Sequence, residues 1–229
     1  MEPRQKNGFI ERRSATLNRK QKKYINTLAP LCMTGYYSYY YSLYLSKLPF
    51  TKHKANKHLK YLEITDSQTA HAKVEWLLTK GNRWEFYCLK SIFLFDTENE
   101  SNDPLSANED ERFTAKLSAV KKYMYRLNEH SIGAFDISSV LWITMHAQKT
   151  GLITKEEAQA FELRAVRLAQ SMYINWRDYL ASCTAGTEYL QKSTSNQEKY
   201  LTYHKNTLIK FMASKHSPFR KIDFKTSFS

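Results

Sequence analysis

One stretch of the chain, if helical, would have apolar residues on every face rather than on one face. From Phe135 to Ala147 apolar residues occupy most positions, and Asp136 is the one Asp, Glu, Lys or Arg among them. A helix with no face suited to water is typical of the enclosed centre of a protein. The sequence therefore predicts a buried central helix over residues 135–148, which ends at Gly151 and against which the other helices pack.

Four further segments have apolar residues spaced three and four apart, as in helices with one buried face. They lie at residues 65–81, 109–129, 154–172 and 175–190. Thr65 and Gln68 have the spacing of a capping box at a helix N-terminus. So do Thr154 and Glu157, and Gly81 suits the position just after a helix C-terminus. These segments predict amphipathic helices whose apolar faces cover the central one.

Composition favours an all-α fold. The 229 residues include only 6 Gly and 5 Pro, fewer than a sheet with many tight turns needs. Residues 84–95 add a further, rather apolar helix. In the absence of linker-like segments we expect a single globular multi-helix domain over residues 17–229, preceded by a basic flexible arm at residues 1–16. Residues 95–111, with seven acidic groups and no basic one, predict an exposed acidic loop.

Positive charge is concentrated at the two ends of the chain. Residues 1–60 contain 13 Lys or Arg and 2 Asp or Glu, a net charge of +11, and residues 191–229 add +6. The residues between them carry −4, so the ends would attract an acidic partner, a nucleic acid or an anionic lipid surface. The side chains expected to contact such an anion or partner are Arg12, Arg13, Arg19, Lys20, Lys22 and Lys23.

The segment from Tyr24 to Ser46 has no charged residue and is long enough to span a bilayer. Its seven Tyr, with Pro30 and Gly35, fit hydrocarbon poorly. We expect instead a first helix kinked by Pro30, a break near Gly35, and a second helix with half-buried tyrosines. Contact with a membrane surface, and stacking of nucleic-acid bases on the tyrosines at 36–44, are the alternatives.

The cysteines and the N-terminus point to the cytoplasm. Cys32, Cys88 and Cys183 are far apart and odd in number, which favours buried thiols in a reducing compartment over a disulfide framework. No apolar segment with a small-residue cleavage site follows the charged N-terminus, so a secretory signal is not expected.

Few residues suggest catalysis. No zinc-binding spacing, glycine-rich phosphate loop or nucleophile elbow occurs, so no metal, cofactor or small-molecule ligand is expected. Asp136, near the start of an apolar helix, is expected to be a helix cap, an ion-pair partner of Arg83, or a catalytic acid. Cys183 is expected on an inward face, where a thiol is inert. His130 and His146, at the two ends of the central helix, are candidates for groups that titrate near neutral pH, but we expect them to be solvent-exposed helix ends without a role.

Several short motifs are spread over most of the chain. They are Glu75-Trp76-Leu77-Leu78, Gly81-Asn82-Arg83, Ala134-Phe135-Asp136, Thr150-Gly151-Leu152-Ile153, Glu156-Glu157-Ala158, Asn175-Trp176, Gly186 and Ser217-Pro218-Phe219. On these motifs the chain resembles the YbeU/YbeR-like family of uncharacterised bacterial proteins, catalogued as a domain of unknown function. The resemblance implies an all-helical, intracellular bacterial protein and assigns no reaction.

The chain departs from that family at five positions. The family commonly has His at Asn82, Trp at Phe135, Arg at Ser139, and Trp at Phe219 and Phe224. These departures weaken any site built from an Asp and an Arg within one turn of the central helix.

Three functions remain open on the sequence. The first is a non-enzymatic protein-interaction module whose basic ends dock an acidic partner. The second is an effector-like or toxin-like enzyme, or its immunity partner, with a site at Asp136 and Arg83. The third is binding of nucleic acid or an anionic membrane surface through residues 1–60.

Overall fold

The computed structural model describes residues 17–32, 51–95, 111–190, 209 and 212–228. These residues form α-helices and one short 3-10 helix, and none of them lies in a β-strand. The helices are α1 (Arg19–Leu28), the 3-10 helix (Ala29–Cys32), α2 (Lys52–Tyr61), α3 (Ser67–Thr79), α4 (Gly81–Phe95), α5 (Glu111–Tyr123), α6 (Gly133–Thr150), α7 (Lys155–Met172), α8 (Trp176–Tyr189) and α9 (Pro218–Lys221). The predicted all-α fold is confirmed. The predicted arm at 1–16, with Arg12 and Arg13, and the interior of the predicted acidic loop lie outside the described residues.

The predicted central helix is α6. Of its 18 residues 14 are buried, and Leu141 has no exposed surface. It contacts α1, the 3-10 helix, α2, α3, α4, α7 and α8. Gly151 ends it in the left-handed region, at φ +85°, as its position after the apolar run predicts.

The capping box at the start of α7 is confirmed. Thr154 Oγ1 accepts the N–H of Glu157 at 3.1 Å, and the Glu157 carboxylate accepts the N–H of Thr154 at 2.7 Å. The predicted cap of α3 at Thr65 is wrong by one residue. Asp66 accepts the N–H of Thr69 at 2.8 Å, while the Thr65 hydroxyl donates to the Asp66 carboxylate at 3.2 Å. A carboxylate is the stronger acceptor for the positive end of a helix, and this favours Asp66 over Thr65.

Two other predicted helices are shorter than expected. The segment predicted as one helix over 109–129 is helical from Glu111 to Tyr123 and then continues as turns. In the N-terminal segment α1 ends at Leu28, so Pro30 lies in the 3-10 helix rather than at a kink within an α-helix. A proline lacks the N–H that an α-helix interior needs, and the tighter turn tolerates that loss.

The described helices enclose two apolar cores. The larger surrounds α6 and includes side chains from α1, α2, α3, α7, α8 and the C-terminal segment. The smaller one lies between α4, α5 and α8, with Phe86, Val120 and Tyr189 fully enclosed. The small core therefore holds α4 and α5 against the side of the main bundle.

The C-terminal segment 217–228 packs on α1 and on the start of α8. Tyr24 OH donates to the carbonyl of Phe224 at 2.9 Å, and Gln21 Nε2 donates to that of Ser227 at 3.2 Å. Trp176 Nε1 donates to the carbonyl of Ile222 at 2.8 Å. The two basic ends of the described chain thus meet on one side of α6.

The prediction that all three cysteines are buried is only partly correct. Cys183 is buried and Cys32 is half-buried, but Cys88 is exposed because it lies on the outward face of α4. Within the described ranges, no helix combines the length and apolar character that crossing a bilayer requires.

Candidate functional site

The polar site predicted around Asp136 lies at a sharp corner between α3 and α4. Only Lys80 separates the two helices, and Gly81 begins α4 in the left-handed region at φ +64°. A Cβ at Gly81 would overlap the Asp136 carboxylate. Glycine is therefore needed here both for the turn and for the close approach of α6.

Asp136 accepts four hydrogen bonds from the start of α4. Its Oδ1 accepts the backbone N–H of Asn82 at 3.1 Å and the Asn82 side-chain amide at 2.6 Å. Its Oδ2 accepts the backbone N–H of Arg83 at 3.0 Å and the guanidinium at 3.3 Å. The carboxylate therefore caps the N-terminus of α4 from another helix, where a negative charge also opposes the positive end of the helix dipole.

Arg83 completes the corner from the other side. Its two terminal nitrogens donate to the carbonyls of Leu77 and Leu78, in the last turn of α3, at 2.6 and 2.7 Å. The guanidinium thus caps the C-terminus of α3 while it pairs with Asp136. The predicted pairing of Asp136 with Arg83 is confirmed, and the two residues join three helices.

The corner has little room for catalysis. The Asp136 side chain has no exposed surface and that of Arg83 is 11 % exposed. Burial raises the pKa of Asp136 above the ordinary aspartate value, and the hydrogen bonds from Arg83 and Asn82 oppose that shift. Both carboxylate oxygens already accept two hydrogen bonds each, so a substrate would have to displace a helix cap to reach them.

A second buried polar cluster surrounds the N-terminus of α6. The N–H of Ala134 donates to Tyr173 OH at 2.8 Å and to Ser182 Oγ at 3.1 Å. Ser182 Oγ also donates to the carbonyl of Ser131 at 2.7 Å, and Tyr179 OH donates to that of Ala134 at 3.0 Å. Sequence reasoning missed this cluster because no side chain near Ala134 caps α6 and the hydroxyls come from residues about forty positions later.

The prediction that His146 lies in solvent is wrong. His146 is 3 % exposed, and its Nδ1 lies 2.7 Å from the carbonyl oxygen of Trp142. The ring centroid of His58 on α2 is 5.5 Å from that of His146, so α2 covers this side of α6. Burial lowers the pKa of His146 to about 4. His130, at the other end of α6, is half-buried, with Nε2 3.5 Å from a carboxylate oxygen of Glu129.

Cys183 lies where the sequence predicts. It is fully enclosed on α8, with Sγ 3.8 Å from Ser138 Oγ. Burial raises the pKa of its thiol well above the ordinary value, so it is protonated at neutral pH and a poor nucleophile. In the described part of the chain no three His, Cys, Asp or Glu side chains lie together as a metal site would need.

The predicted anion-binding residues of α1 form part of a larger basic surface. Its members are Arg19, Lys20, Lys22 and Lys23 on α1 and Lys52, Lys54, Lys57 and Lys60 on α2, all of them exposed. Residues 17–32 and 51–61 contain no Asp or Glu, and none of the eight cations forms an ion pair with another described residue. We call these eight residues the basic surface.

The two halves of the basic surface flank the same part of α6. His58 of α2 packs against Trp142 and His146, while Lys22 of α1 lines a cavity together with Met145 and Lys149. All four α6 residues lie in its C-terminal half. Two segments that are about thirty residues apart in the sequence therefore present their charge around one end of the central helix.

An exposed aromatic pair on α4 was not anticipated. Trp84 and Tyr87 are 56 % and 53 % exposed, and their rings stack with centroids 5.9 Å apart. They border a groove of about 390 Å³ that is also lined by Lys80, Arg83 and His130. Asp136 does not line this groove. The apolar character of residues 84–95 predicts a helix, but it does not indicate which of its side chains face solvent.

One comparison with known proteins gave a match. A family model described as "Protein of unknown function (DUF1266)" matches residues 60–224, which include the Asp136–Arg83 corner, all of α6 and most of the C-terminal segment. No curated protein and no solved structure matches the chain. Because the match extends over well more than half of the sequence, the chain belongs to the family described as Protein of unknown function (DUF1266).

Proposed function

We propose that this protein is a non-enzymatic interaction module of the cytoplasm, which docks an acidic surface of a partner protein through its basic surface. The observation that carries the proposal is the set of eight exposed cations on α1 and α2, in segments without a single acidic residue. Charges of one sign gathered around one end of α6 would steer a negatively charged partner and speed its association.

The state of Asp136 supports binding over catalysis. An acid or base must reach the proton that it transfers, whereas Asp136 is enclosed and already accepts four hydrogen bonds. Its contacts account fully for a structural role at the α3–α4 corner. An effector-like enzyme would need a different catalytic centre.

The scarcity of exposed aromatic rings on α1 and α2 favours a protein partner over nucleic acid. Single strands commonly stack their bases on several exposed aromatic rings beside Lys and Arg. Tyr24, the one aromatic side chain of α1, has no exposed surface, and Tyr61 at the end of α2 is the one exposed Phe, Tyr or Trp on these two helices. The exposed pair Trp84 and Tyr87 belongs to α4. The tyrosines at 36–44 lie outside the described residues.

The test is capture from nuclease-treated lysate with charge-reversal variants. The triple variant Lys20→Glu, Lys22→Glu and Lys23→Glu should lose its protein partners. A matched variant with Lys80→Glu, Lys215→Glu and Lys221→Glu, which has the same net charge but changes other exposed positions, should keep them. Equal capture by both variants would contradict the proposal. Loss of all wild-type capture on nuclease treatment would favour nucleic-acid binding instead.

A further inference from the structure

A cavity of about 550 Å³ lies beside the basic surface, between α1, the C-terminal half of α6 and the start of α7. Its apolar lining comes from Leu17, Ile25, Met145 and Ala158. This volume is within the range of natural binding pockets, which bury apolar groups against a few well-placed polar ones.

Three lysines from three different helices border this cavity. They are Lys22 of α1, Lys149 of α6 and Lys155 of α7. Lys149 and Lys155 are exposed but do not belong to the eight residues of the basic surface, and they add positive charge beside it where they line the cavity. An apolar floor with a cationic rim is complementary to a segment that carries both apolar and acidic side chains.

We infer that this cavity receives an apolar side chain from an acidic, amphipathic helix of the partner, whose carboxylates contact Lys22, Lys149 and Lys155. The inference rests on the proposed function and names the kind of partner segment that the basic surface binds. Exposed ion pairs each contribute little to affinity, so the cations alone would give weak, salt-sensitive binding. Burial of an apolar side chain supplies the larger share of the binding free energy, as in other complexes in which a helix binds in a groove.

Glu162 should make partner binding at the cavity depend on pH. Glu162 lines the same cavity, and burial raises the pKa of its carboxyl to about 7, with the charge of Lys22 opposing the shift. When ionised, Glu162 repels the partner's carboxylates, and when protonated it does not. Binding should therefore be tighter at pH 6 than at pH 8.

The charged groups that line the cavity beside Glu162 are Lys22, Lys149 and Lys155. Burial lowers the pKa of His146 on α6 to about 4, so this residue is neutral at both pH values. Hydrogen bonds with Thr154 lower the pKa of Glu157 on α7, so it stays ionised, and it pairs with His71 of α3 at 3.1 Å. The variant Glu162→Gln should bind more tightly at pH 8 and lose the difference between the two pH values.

The test uses two labelled helical peptides of equal charge and the full-length protein, with binding measured by fluorescence anisotropy. One peptide carries Glu with Leu at positions i, i+4 and i+7, and the other has Ser in place of each Leu. The Leu peptide should bind about tenfold more tightly or better, because burying one such side chain accounts for that factor. The double variant Lys149→Glu, Lys155→Glu should lose most of this binding.

The control is Lys80→Glu, Lys215→Glu, which makes the same charge change at two exposed positions outside both the cavity and the basic surface. All four lysines are exposed, so both variants should melt like wild type. Equal binding of the two peptides would overturn the anchor and leave the basic surface as the contact. Equal losses in the two double variants would overturn the role of Lys149 and Lys155 at the cavity. If neither peptide binds wild type, the proposed function fails together with the anchor.

Discussion

Asp136 and His146 are both enclosed in α6, and the protein accommodates them in different ways. Asp136 accepts four hydrogen bonds from Asn82 and Arg83, which replace the water that a carboxylate loses on burial. His146 packs against the rings of Trp142 and His58, where burial favours the neutral imidazole. The stability of the fold therefore depends on the hydrogen-bond partners of Asp136 and on the neutral state of His146.

Asp136→Asn should destabilise the protein by about 3 kcal/mol. The amide would place a donor against the N–H groups of α4 and leave the buried Arg83 guanidinium without its carboxylate. Urea denaturation, monitored by circular dichroism, measures the decrease in the free energy of unfolding. Glu129→Gln, an exposed change of the same kind, should stay within about 0.5 kcal/mol of wild type. A similar result for Asp136→Asn would show that the corner does not depend on the charge.

His146 should make the fold sensitive to acid. Below about pH 6.5 the unfolded chain binds a proton at this residue, while the folded protein does not until about pH 4. Proton uptake then favours unfolding, so the free energy of unfolding should fall by up to about 3 kcal/mol between these pH values. His146→Gln should remove that part of the pH dependence, whereas His53→Gln, an exposed change on α2, should leave it. Parallel stability curves for wild type and His146→Gln would contradict the assignment.

At the scale of the helices, buried ends are capped by distant residues. The N-terminus of α4 receives Asp136 and that of α6 receives Tyr173 and Ser182, whereas the more exposed α7 and α8 are capped by their own neighbours Thr154 and Asn175. A buried N–H must find a partner wherever one is available. Helix ends in the interior are thus fixed by tertiary contacts, and peripheral ends by local sequence.

Gly81→Ala should destabilise the protein by about 2 kcal/mol more than Gly151→Ala. Both glycines have positive φ, so each substitution carries a backbone cost of about 1 kcal/mol. A Cβ at Gly81 also meets Asp136 and Arg83, whereas a Cβ at Gly151 meets no atom within 4 Å. Thermal melts of the two variants give the comparison. Equal decreases in melting temperature would mean that the corner between α3 and α4 can open to admit a methyl group.

Leu141→Asp should leave the protein insoluble or molten. A carboxylate placed on the enclosed side of α6 without a partner costs more than about 4 kcal/mol, a large part of the stability of a domain. Loss of the near-ultraviolet signal with retained helical content is the expected observation. Gln148→Asp, at an exposed position of the same helix, should melt cooperatively within a few degrees of wild type. A cooperative melt of Leu141→Asp near that of wild type would contradict the enclosure of α6.

At the scale of the whole molecule, the two ends of the described chain pack against each other. Phe224 packs on Tyr24, Trp176 and Tyr179, with ring centroids 5.0 to 6.1 Å apart, so the last residues cover α1 and α8 together. This contact also brings the positive charges of α1 and of the C-terminal segment onto the same side of α6.

Phe224→Ala should cost about 3 to 5 kcal/mol and loosen α1. Hydrogen exchange should quicken at residues 19–28, which lie about 200 positions earlier in the sequence, because the tail holds Tyr24 in place. Lys221→Ala, an exposed change in the same segment, should leave exchange in α1 unaltered. Faster exchange confined to residues 217–228 would show that the two ends are not coupled.

The sequence by itself determined the all-α class, the burial of α6, the cap at Thr154 and the stop at Gly151. These features depend on periodicity and on hydrogen bonds within a few residues, so they can be recognised from neighbours in the chain. The same local reasoning failed at Thr65, where an adjacent aspartate provides the stronger cap. It also failed at Cys88, because an apolar helix does not reveal which of its faces meets solvent.

Only the tertiary structure decided which residues Asp136 and Arg83 cap, that His146 is enclosed, and that Lys22, Lys149 and Lys155 share one cavity. Each of these outcomes depends on side chains that are tens of residues apart and meet only when the helices pack. Helix periodicity specifies which face is apolar, whereas the choice of neighbour follows from shape and from the need to satisfy every buried polar group.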